Sequence, residues 1–429
     1  MKFMILTLGC KVNAYESEYI KETFIQKGLK GANSMNDADV IVINTCSVTN
    51  QSDAKSRQII RRARKNAPNS ILVVVGCSAQ NHKDEMFDYG ANIVLGNKDK
   101  SKILDYVNDY IERKENIINM YDMSSVDFEN MFLKSESDKT RAFVKIQDGC
   151  NNFCSYCIIP YMRGNIRSKN IDDAVNEINS LVDAGHREIV LTGIHTGSYG
   201  RGEDYDLTDL IRKISINPKL DRIRISSIEI TELNDKFMDE LKNNKKICNH
   251  LHIPLQSGSD VVLEKMNRKY DTNYYRDKII EIRAIRPDIS ITTDLIVGFP
   301  YETEEEFDKT YDFIKEIGFT KIHTFPFSLR SGTKAEEMMN ASVNDKDKTT
   351  RVHKILELSL ELESAYYNKF VGCETEVLVE TTKDGKSCGH TDNYISVNLD
   401  KYVESGAMCK VKIVNVDGLS VNGDVISID

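Results

Sequence analysis

Cys150-Asn151-Asn152-Phe153-Cys154-Ser155-Tyr156-Cys157 places three thiols in the spacing C-x3-C-x2-C. The number three is informative. Structural zinc usually takes four protein ligands, often as two separated pairs. A four-iron cluster held by three thiolates keeps one iron free to bind something else. The competing reading is three buried cysteines near a turn, although free buried cysteines rarely gather with Gly and Asn around them. The motif directly follows Ala142–Gln147, which reads as a strand. Further candidate strands lie at Glu188–Thr192, Arg222–Ser226, Asn249–Ile253, Ser290–Ile296 and Lys321–Phe325. Candidate helices fall between them at Ile171–Ala184, Leu207–Ile216, Asp235–Asn243, Asn273–Arg286 and Glu304–Ile317. Six such units predict a partial (β/α)6 barrel of parallel strands, with the thiols at the strands' carboxyl ends, where barrel enzymes place chemistry.

The thiol spacing resembles the cluster signature of the radical S-adenosylmethionine (SAM) enzymes. That resemblance implies a cluster whose open iron chelates the amino and carboxylate groups of SAM. One electron then splits the sulfonium and releases a 5′-deoxyadenosyl radical. Tyr156 fits the family's aromatic position beside the adenine. Other strand ends offer cofactor contacts. Gly193, within Leu191-Thr192-Gly193-Ile194-His195-Thr196-Gly197, lets a cofactor approach the backbone. Gln256 and Ser257, within Pro254–Ser259, suit a ribose or an amino acid. Thr303 before Glu304, Glu305 and Glu306 reads as a helix N-cap. Cys248, His250 and His252 alternate along one strand and share a face. Either they form a metal site, or they pack in the barrel with His252 near the cofactor. Nothing supplies the remaining ligands, which favours the second reading.

Toward the N-terminus, Lys2–Leu8, Val40–Thr45 and Ile71–Gly76 read as short buried strands, with helices at Glu16–Lys27, Ser52–Asn66 and Lys98–Arg113. Alternation of this kind predicts an open parallel α/β sheet over residues 1–113. Cys10, Cys46 and Cys77 each follow one of those strands. Parallel strands put all three ends on one edge, the edge where such sheets bind ligands. A second iron–sulfur cluster with an open iron is the expectation. Lys55, Arg57, Arg61, Arg62, Arg64 and Lys65 crowd one helix, and Arg57, Arg61 and Arg64 share a face. That face either contacts phosphates or is simply solvated. Residues 114–141 have little periodicity and read as a linker before the central domain, 142–368.

Asp345–Phe370 reads as one helix with Leu356, Leu360 and Leu362 on or near one face. Beyond it, residues 369–429 alternate in short runs at Thr375–Glu380, Tyr394–Leu399, Lys410–Val414 and Asp424–Ile428. These predict a small closed β-barrel of the oligonucleotide-binding type, with a structural appendage as the competing reading. Cys373, Cys388 and Cys409 lack ligand spacing and read as core residues.

The 429 residues, with 40% hydrophobic and 29% charged, suit a globular protein of two or three domains. A net charge of −9 leaves any RNA contact to local patches. The ten cysteines, several in metal-ligand spacings, argue against a secreted disulfide scaffold. The apolar run Phe3–Leu8 is too short for an export signal, and no run approaches the ~20 apolar residues of a membrane span. A cytoplasmic setting is the expectation.

Taken whole, the chain resembles the radical SAM methylthiotransferases, which replace C–H by C–SCH3. Cys10, Cys46 and Cys77 match the cluster ligands of that family's N-terminal domain. Cys150, Cys154 and Cys157 match its radical SAM ligands, and Thr375–Asp429 looks like its RNA-binding TRAM domain. Lys11-Val12 after Cys10, together with Asn44-Thr45-Cys46-Ser47-Val48-Thr49, resembles the branch acting on N6-threonylcarbamoyladenosine at position 37 of tRNA. Branches acting on isopentenyladenosine or on a ribosomal protein aspartate are the neighbouring alternatives. A zinc-bearing RNA-binding protein is the non-enzymatic one. The resemblance implies two [4Fe-4S] clusters and two molecules of SAM per turnover. The first cluster carries the sulfur, one SAM methylates it, and the second SAM yields the radical that takes the C2 hydrogen of adenine. It also implies a tRNA anticodon loop as partner, a reducing electron donor, a sulfur source and no membrane. The threonylcarbamoyl group carries a carboxylate, so a basic residue is expected against it.

Overall fold

The computed structural model describes residues 1–134, 140–383 and 385–429. Six parallel strands form the first sheet: β1 (Lys2–Thr7), β2 (Lys30–Gly31), β3 (Val40–Thr45), β4 (Ile71–Gly76), β5 (Ile93–Leu95) and β6 (Ile117–Asn119), in the order β2-β1-β3-β4-β5-β6. The central strands β3 and β4 are Val/Ile runs buried on both faces, as a parallel sheet with helices on both sides requires. Those helices are α1 (Lys11–Gln26), α2 (Asn50–Asn66), α3 (Cys77–His82), α4 (Glu85–Asp88) and α5 (Ile103–Arg113). The basic face of α2 is largely spent on the protein itself. Arg64 donates to the carbonyls of Gly90, Pro68 and Ser70 and to Asn92 Oδ1, and Arg61 lies 4.5 Å over the Tyr89 ring.

The expected linker, 114–141, contains β6 and a helical turn at Met123–Ser125, and its Met131 and Leu133 are buried in the central core. Residues 135–139 of that stretch lie outside the described residues. The turn packs against α6 (Ile159–Arg163), which follows the Cys150–Cys157 loop. Gly164 closes α6 with φ +71°, and a Cβ there would stand 1.7 Å from the Met123 carbonyl oxygen. Gly164→Ala is therefore expected to cost more than the ~1–3 kcal/mol of a residue held in a backbone region open essentially to glycine alone (ψ −159°), because the Met123 backbone must also move. Urea denaturation measures it, and an unchanged midpoint would contradict this packing.

The central domain has six parallel barrel strands. These are β7 (Arg141–Lys145), followed after the short β8 (Gln147–Asp148) and β9 (Arg167–Ser168) by β10 (Glu188–Thr192), β11 (Arg222–Ile225), β12 (His250–His252), β13 (Ser290–Val297) and β14 (Lys321–Pro326). They form two three-stranded sheets, β7-β10-β11 and β12-β13-β14, linked by the Ile223–Ile247 bridge. The outer helices are α7 (Ile171–Asp183), α8 (Leu207–Ser215), α9 (Asp235–Asn243), α10 (Asp260–Lys265), α11 (Thr272–Ile285) and α12 (Glu304–Ile317). Thr303 caps α12, accepting from the Glu306 N–H. The barrel is open between β7 and β14, and α1 lies along β7 there. Tyr15 of α1 joins the barrel core, its hydroxyl bonded to Glu177 Oε1 (2.7 Å) and the Met131 carbonyl (2.8 Å).

In α13 (Asp345–Asn368) the buried side is Ile355, Leu358, Ser359, Glu363, Tyr366 and Tyr367. Of the expected leucine face only Leu362 packs on the core, while Leu356 and Leu360 are 42% and 53% exposed. Five strands then close a barrel in the order β15-β16-β17-β19-β18: β15 (Glu374–Lys383), β16 (Lys386–Thr391), β17 (Ser396–Leu399), β18 (Met408–Asp417) and β19 (Ser420–Ile428). Cys409 is in its core, but Cys373 is exposed and Cys388 half-buried, so only one of the three is a core residue.

This small barrel docks on the amino ends of the central strands. Arg222 donates to the His390 and Glu376 carbonyls (2.9 and 2.8 Å), and Arg224 to the Asp392 carbonyl (3.1 Å). The Tyr394 ring lies between His250 and His390, with centroids 5.0 and 4.9 Å away, and Arg224 sits 4.6 Å over it. No helix among the described residues is long and apolar enough to cross a membrane.

Candidate active site

Both thiol triads sit where their strands end. Cys10 is the residue before α1, Cys46 follows β3, and Cys77 opens α3. Gly9 lies against Cys46, so that a Cβ on it would fall 3.0 Å from the Cys46 sulfur. Asn13 Nδ2 donates to the Leu8 and Thr45 carbonyls (2.7 and 3.0 Å), which ties the Cys10 turn to the Cys46 strand end. Asn97 Nδ2 donates to Cys77 Sγ at 3.5 Å. Cys46 and Cys77 are buried, whereas Cys10 keeps an open surface. Desolvation pushes the Cys46 thiol up to about 11, with Cys77 and Cys10 adding to it. It also raises Cys10, against the pull of Arg163. In the second triad, burial and then Cys154 push Cys157 up to about 12. Burial raises Cys154 too, partly offset by Arg268, whose Nη1 is 3.3 Å from Cys154 Sγ.

Thiols raised in this way, as Cys10, Cys46, Cys154 and Cys157 are, stay protonated unless a metal displaces the proton. Three soft sulfur donors in each set fit an iron–sulfur cluster. Among the described residues no three His, Cys, Asp or Glu side chains are placed to hold a single metal ion. A cluster does not demand that closeness, because each thiolate binds a different iron. Each triad also has a buried arginine. Arg268 pairs with Glu229, and Arg163 Nε is buried without an acceptor among the described residues. His195 Nδ1 is 4.0 Å from Cys150 Sγ and its Nε2 is 2.8 Å from Glu232. Burial opposes charge on this imidazole, but the Cys150 and Glu232 contacts outweigh it and raise it to about 10.

Arg163 joins the two domains. It donates to Asn13 Oδ1 (2.7 Å) and Asp148 Oδ1 (3.1 Å) and lies 3.3 Å from Glu16. Glu16 also pairs with Lys100 and with Lys145 at 2.8 Å, and Asp148 pairs with Lys145 at 2.7 Å. All five side chains are almost wholly buried. Burial opposes ionisation of Glu16, yet Lys100, Lys145 and Arg163 together hold its carboxyl well below the usual range.

A cavity of about 230 Å³ is lined by Tyr156, Cys157, Gln256, Asp294 and Ile296 on the barrel side and by Val48 and Thr49 of the first domain. Arg330 clamps the loop that carries Val48 and Thr49, donating to Ser47 Oγ (2.9 Å), Asn50 Oδ1 (2.6 Å) and Asp53 (2.5 Å). A second cavity, about 540 Å³, lies deeper in the barrel and is lined by Lys11, His252, Thr292, His323 and Tyr394 among others. Asp294 on the first wall stands 3.3 Å from His252 Nε2 on the second. Burial, Arg224 and Arg141 push the Lys11 ammonium down to about 8.

Of the residues expected to touch cofactor, Tyr156 and Gln256 reach the smaller cavity, Gln256 with φ +68°. Ser257 does not: it is fully buried, its hydroxyl 3.3 Å from Thr310 Oγ1 and accepting the Ser259 N–H at 3.2 Å. Gly193 packs on Gln147, whose Oε1 would be 2.8 Å from a Cβ there, so packing alone accounts for this glycine. His250 and His252 share Thr292 Oγ1 (3.1 and 2.9 Å), in keeping with a packed interior. The sequence reading missed Arg163, Arg268, Glu16 and Lys145. Asn13 and Asn97, beside the thiols, were the accessible hints.

Residues 144–314 match the Radical SAM superfamily, and residues 2–96 match the uncharacterized protein family UPF0004. The threonylcarbamoyladenosine tRNA methylthiotransferase MtaB of Bacillus subtilis (strain 168) is 42% identical over 95% of this chain and 92% of its own length. The enzyme of that name from Aquifex aeolicus (strain VF5) is 36% identical over 96% of this chain and 100% of its own. A tRNA-2-methylthio-N(6)-dimethylallyladenosine synthase from Clostridium perfringens (strain SM101 / Type A) is 33% identical over 99% of this chain and 97% of its own. In fold, the chain is similar to the radical S-adenosylmethionine methyltransferase TsrM from Kitasatospora setae, with a TM-score of 0.58, 13% identity and coverage of 78% of this chain and 76% of that one. With likeness of this extent to curated relatives, the chain belongs to the radical SAM methylthiotransferase family.

Proposed function

We propose that this chain methylthiolates C2 of N6-threonylcarbamoyladenosine at position 37 of tRNA. Cys150, Cys154 and Cys157 hold one four-iron cluster and Cys10, Cys46 and Cys77 a second. With SAM these groups supply one-electron cleavage of a sulfonium and the sulfur to be transferred. The observation that carries the reading is the smaller cavity, walled by Cys157 on one side and by Val48 and Thr49, just past Cys46, on the other. The threonylcarbamoyl substrate rests on the 42% identity to a relative named for it, against 33% to one named for dimethylallyladenosine.

No acid–base pair activates an aromatic C–H bond, so the chain's own residues bind, orient and exclude water. Tyr156 and Gln256, which line the smaller cavity, would contact the adenosyl group of SAM bound there. Arg163 and Arg268 offset the charge of the thiolates. The Arg330 clamp holds the Val48–Thr49 loop of the first domain against the smaller cavity. The C-terminal barrel offers strands and loops to RNA, and a base in a single-stranded loop is cheaper to unstack than one in a duplex. Turnover further needs an electron donor and a sulfur source.

Anaerobic incubation of the iron-reconstituted protein with SAM, reductant and tRNA bearing N6-threonylcarbamoyladenosine tests this. The expected product is the 2-methylthio nucleoside, seen by mass spectrometry of the digested tRNA. The protein should hold about eight irons per chain. Unchanged nucleosides from an iron-replete protein would remove the reading.

A further inference from the structure

The deeper cavity has about the volume of a small-molecule site and carries a cation with no hydrogen-bond or ion-pair partner among the described residues. Two lysines line it. Lys321 is paired with Glu363 at 3.1 Å. Lys11 makes no hydrogen bond or ion pair among the described residues, and it is exposed and lines the cavity. The cations beneath are committed. Arg224 is held by Glu188 (2.6 Å), Arg141 by Glu380 (2.9 Å), and Arg222 by carbonyls of the small barrel. The nearby carboxylate, Asp294, attracts the ammonium from a distance but makes its close contact with His252 (3.3 Å). Lys11 is exposed to solvent, so water satisfies its ammonium while the cavity is open; an occupant that displaces this water without supplying an anion leaves the charge unpaired, which is costly.

We propose that Lys11 is a specificity-determining residue that binds an anionic substituent of the substrate base, namely the carboxylate of the threonylcarbamoyl group. This rests on the proposed substrate. Lys11 directly follows Cys10, so a base whose substituent reaches Lys11 has its ring beside the first-domain triad. An uncharged substituent in the same cavity leaves the ammonium unpaired, which makes Lys11 select against it as well as for the acid.

The test uses the iron-reconstituted full chain and an anticodon stem-loop RNA carrying N6-threonylcarbamoyladenosine, either as the free acid or as its methyl ester. Fluorescence anisotropy reads binding. Wild type is expected to bind the acid about 10- to 100-fold more tightly than the ester, the span of one charge-assisted hydrogen bond. Lys11→Gln is expected to bring that ratio to within about twofold, and Lys11→Arg to keep most of it. In turnover, the loss for Lys11→Gln should fall on KM, because the carboxylate is remote from C2. Equal wild-type affinity for acid and ester overturns the proposal, and this arm needs no variant to fold. A ratio unchanged in Lys11→Gln overturns it too. A wild-type enzyme that methylthiolates only a dimethylallyl-bearing tRNA overturns the proposed substrate, and this inference with it. Turnover of the threonylcarbamoyl tRNA with no acid preference overturns the inference alone.

Discussion

Cys154→Ala is expected to reduce SAM cleavage to the no-enzyme background, while Cys46→Ala is expected to keep cleavage and lose sulfur insertion. The reason is the separation of the two triads. Cys154 lies in the loop with Tyr156 and Cys157, which line the smaller cavity, whereas Cys46 ends a strand of the other domain. Quantifying 5′-deoxyadenosine and methylthiolated nucleoside from the same anaerobic reactions separates the two activities. Each variant should also fall from about eight irons to about four. Equal loss of SAM cleavage in both variants would contradict the division of labour.

Glu16→Gln is expected to destabilise the protein by about 3–5 kcal/mol, because it leaves Lys100, Lys145 and Arg163 buried around a neutral amide. The effect reaches beyond stability. Arg163 also holds Asn13, which ties Cys10 to the Cys46 strand end, so reconstitution of the first-domain cluster should weaken as well. A pH dependence follows. The folded-state pKa of Glu16 is depressed, so its contribution is full above the ordinary value of 4.5 and is lost as pH falls below it. Asp148, held down by Lys145, Arg167 and Arg163 against its burial, acts in the same direction. Wild type should therefore lose stability on acidification, and Glu16→Gln should lose less over the same range. Parallel pH profiles for the two proteins, from denaturant unfolding under anaerobic conditions, would count against this network.

Much of the architecture was legible because it is written in runs. Val40–Thr45, Ile71–Gly76 and Glu188–Thr192 are strands within the bounds expected, since a strand buried on both faces reads as a near-continuous apolar run, with polar residues here only toward its ends. Shorter elements gave no such signal. Strand β5 has three residues, and β16 (Lys-Ser-Cys-Gly-His-Thr) is mostly polar and is held by its neighbours. Helix α1 starts at Lys11 rather than Glu16, because the turn at Cys10 already sets the first helical residues. That shift carries Lys11 into the barrel, which no periodicity foretold. The cysteines stood out by spacing. Arg163 and Arg268 did not, because a single arginine shows its partners only after folding. Ser257 shows the same limit: its hydroxyl turns inward to Thr310, a residue of a distant helix, which its own neighbours in sequence do not reveal.

Tyr394, wedged between two imidazoles under Arg224, belongs to the C-terminal barrel, yet it also lines the central domain's deeper cavity. The C-terminal barrel is thus not a detachable appendage. A chain truncated before it would lose His390, Tyr394, Ser396 and Leu419 from the wall of that cavity and open it from below.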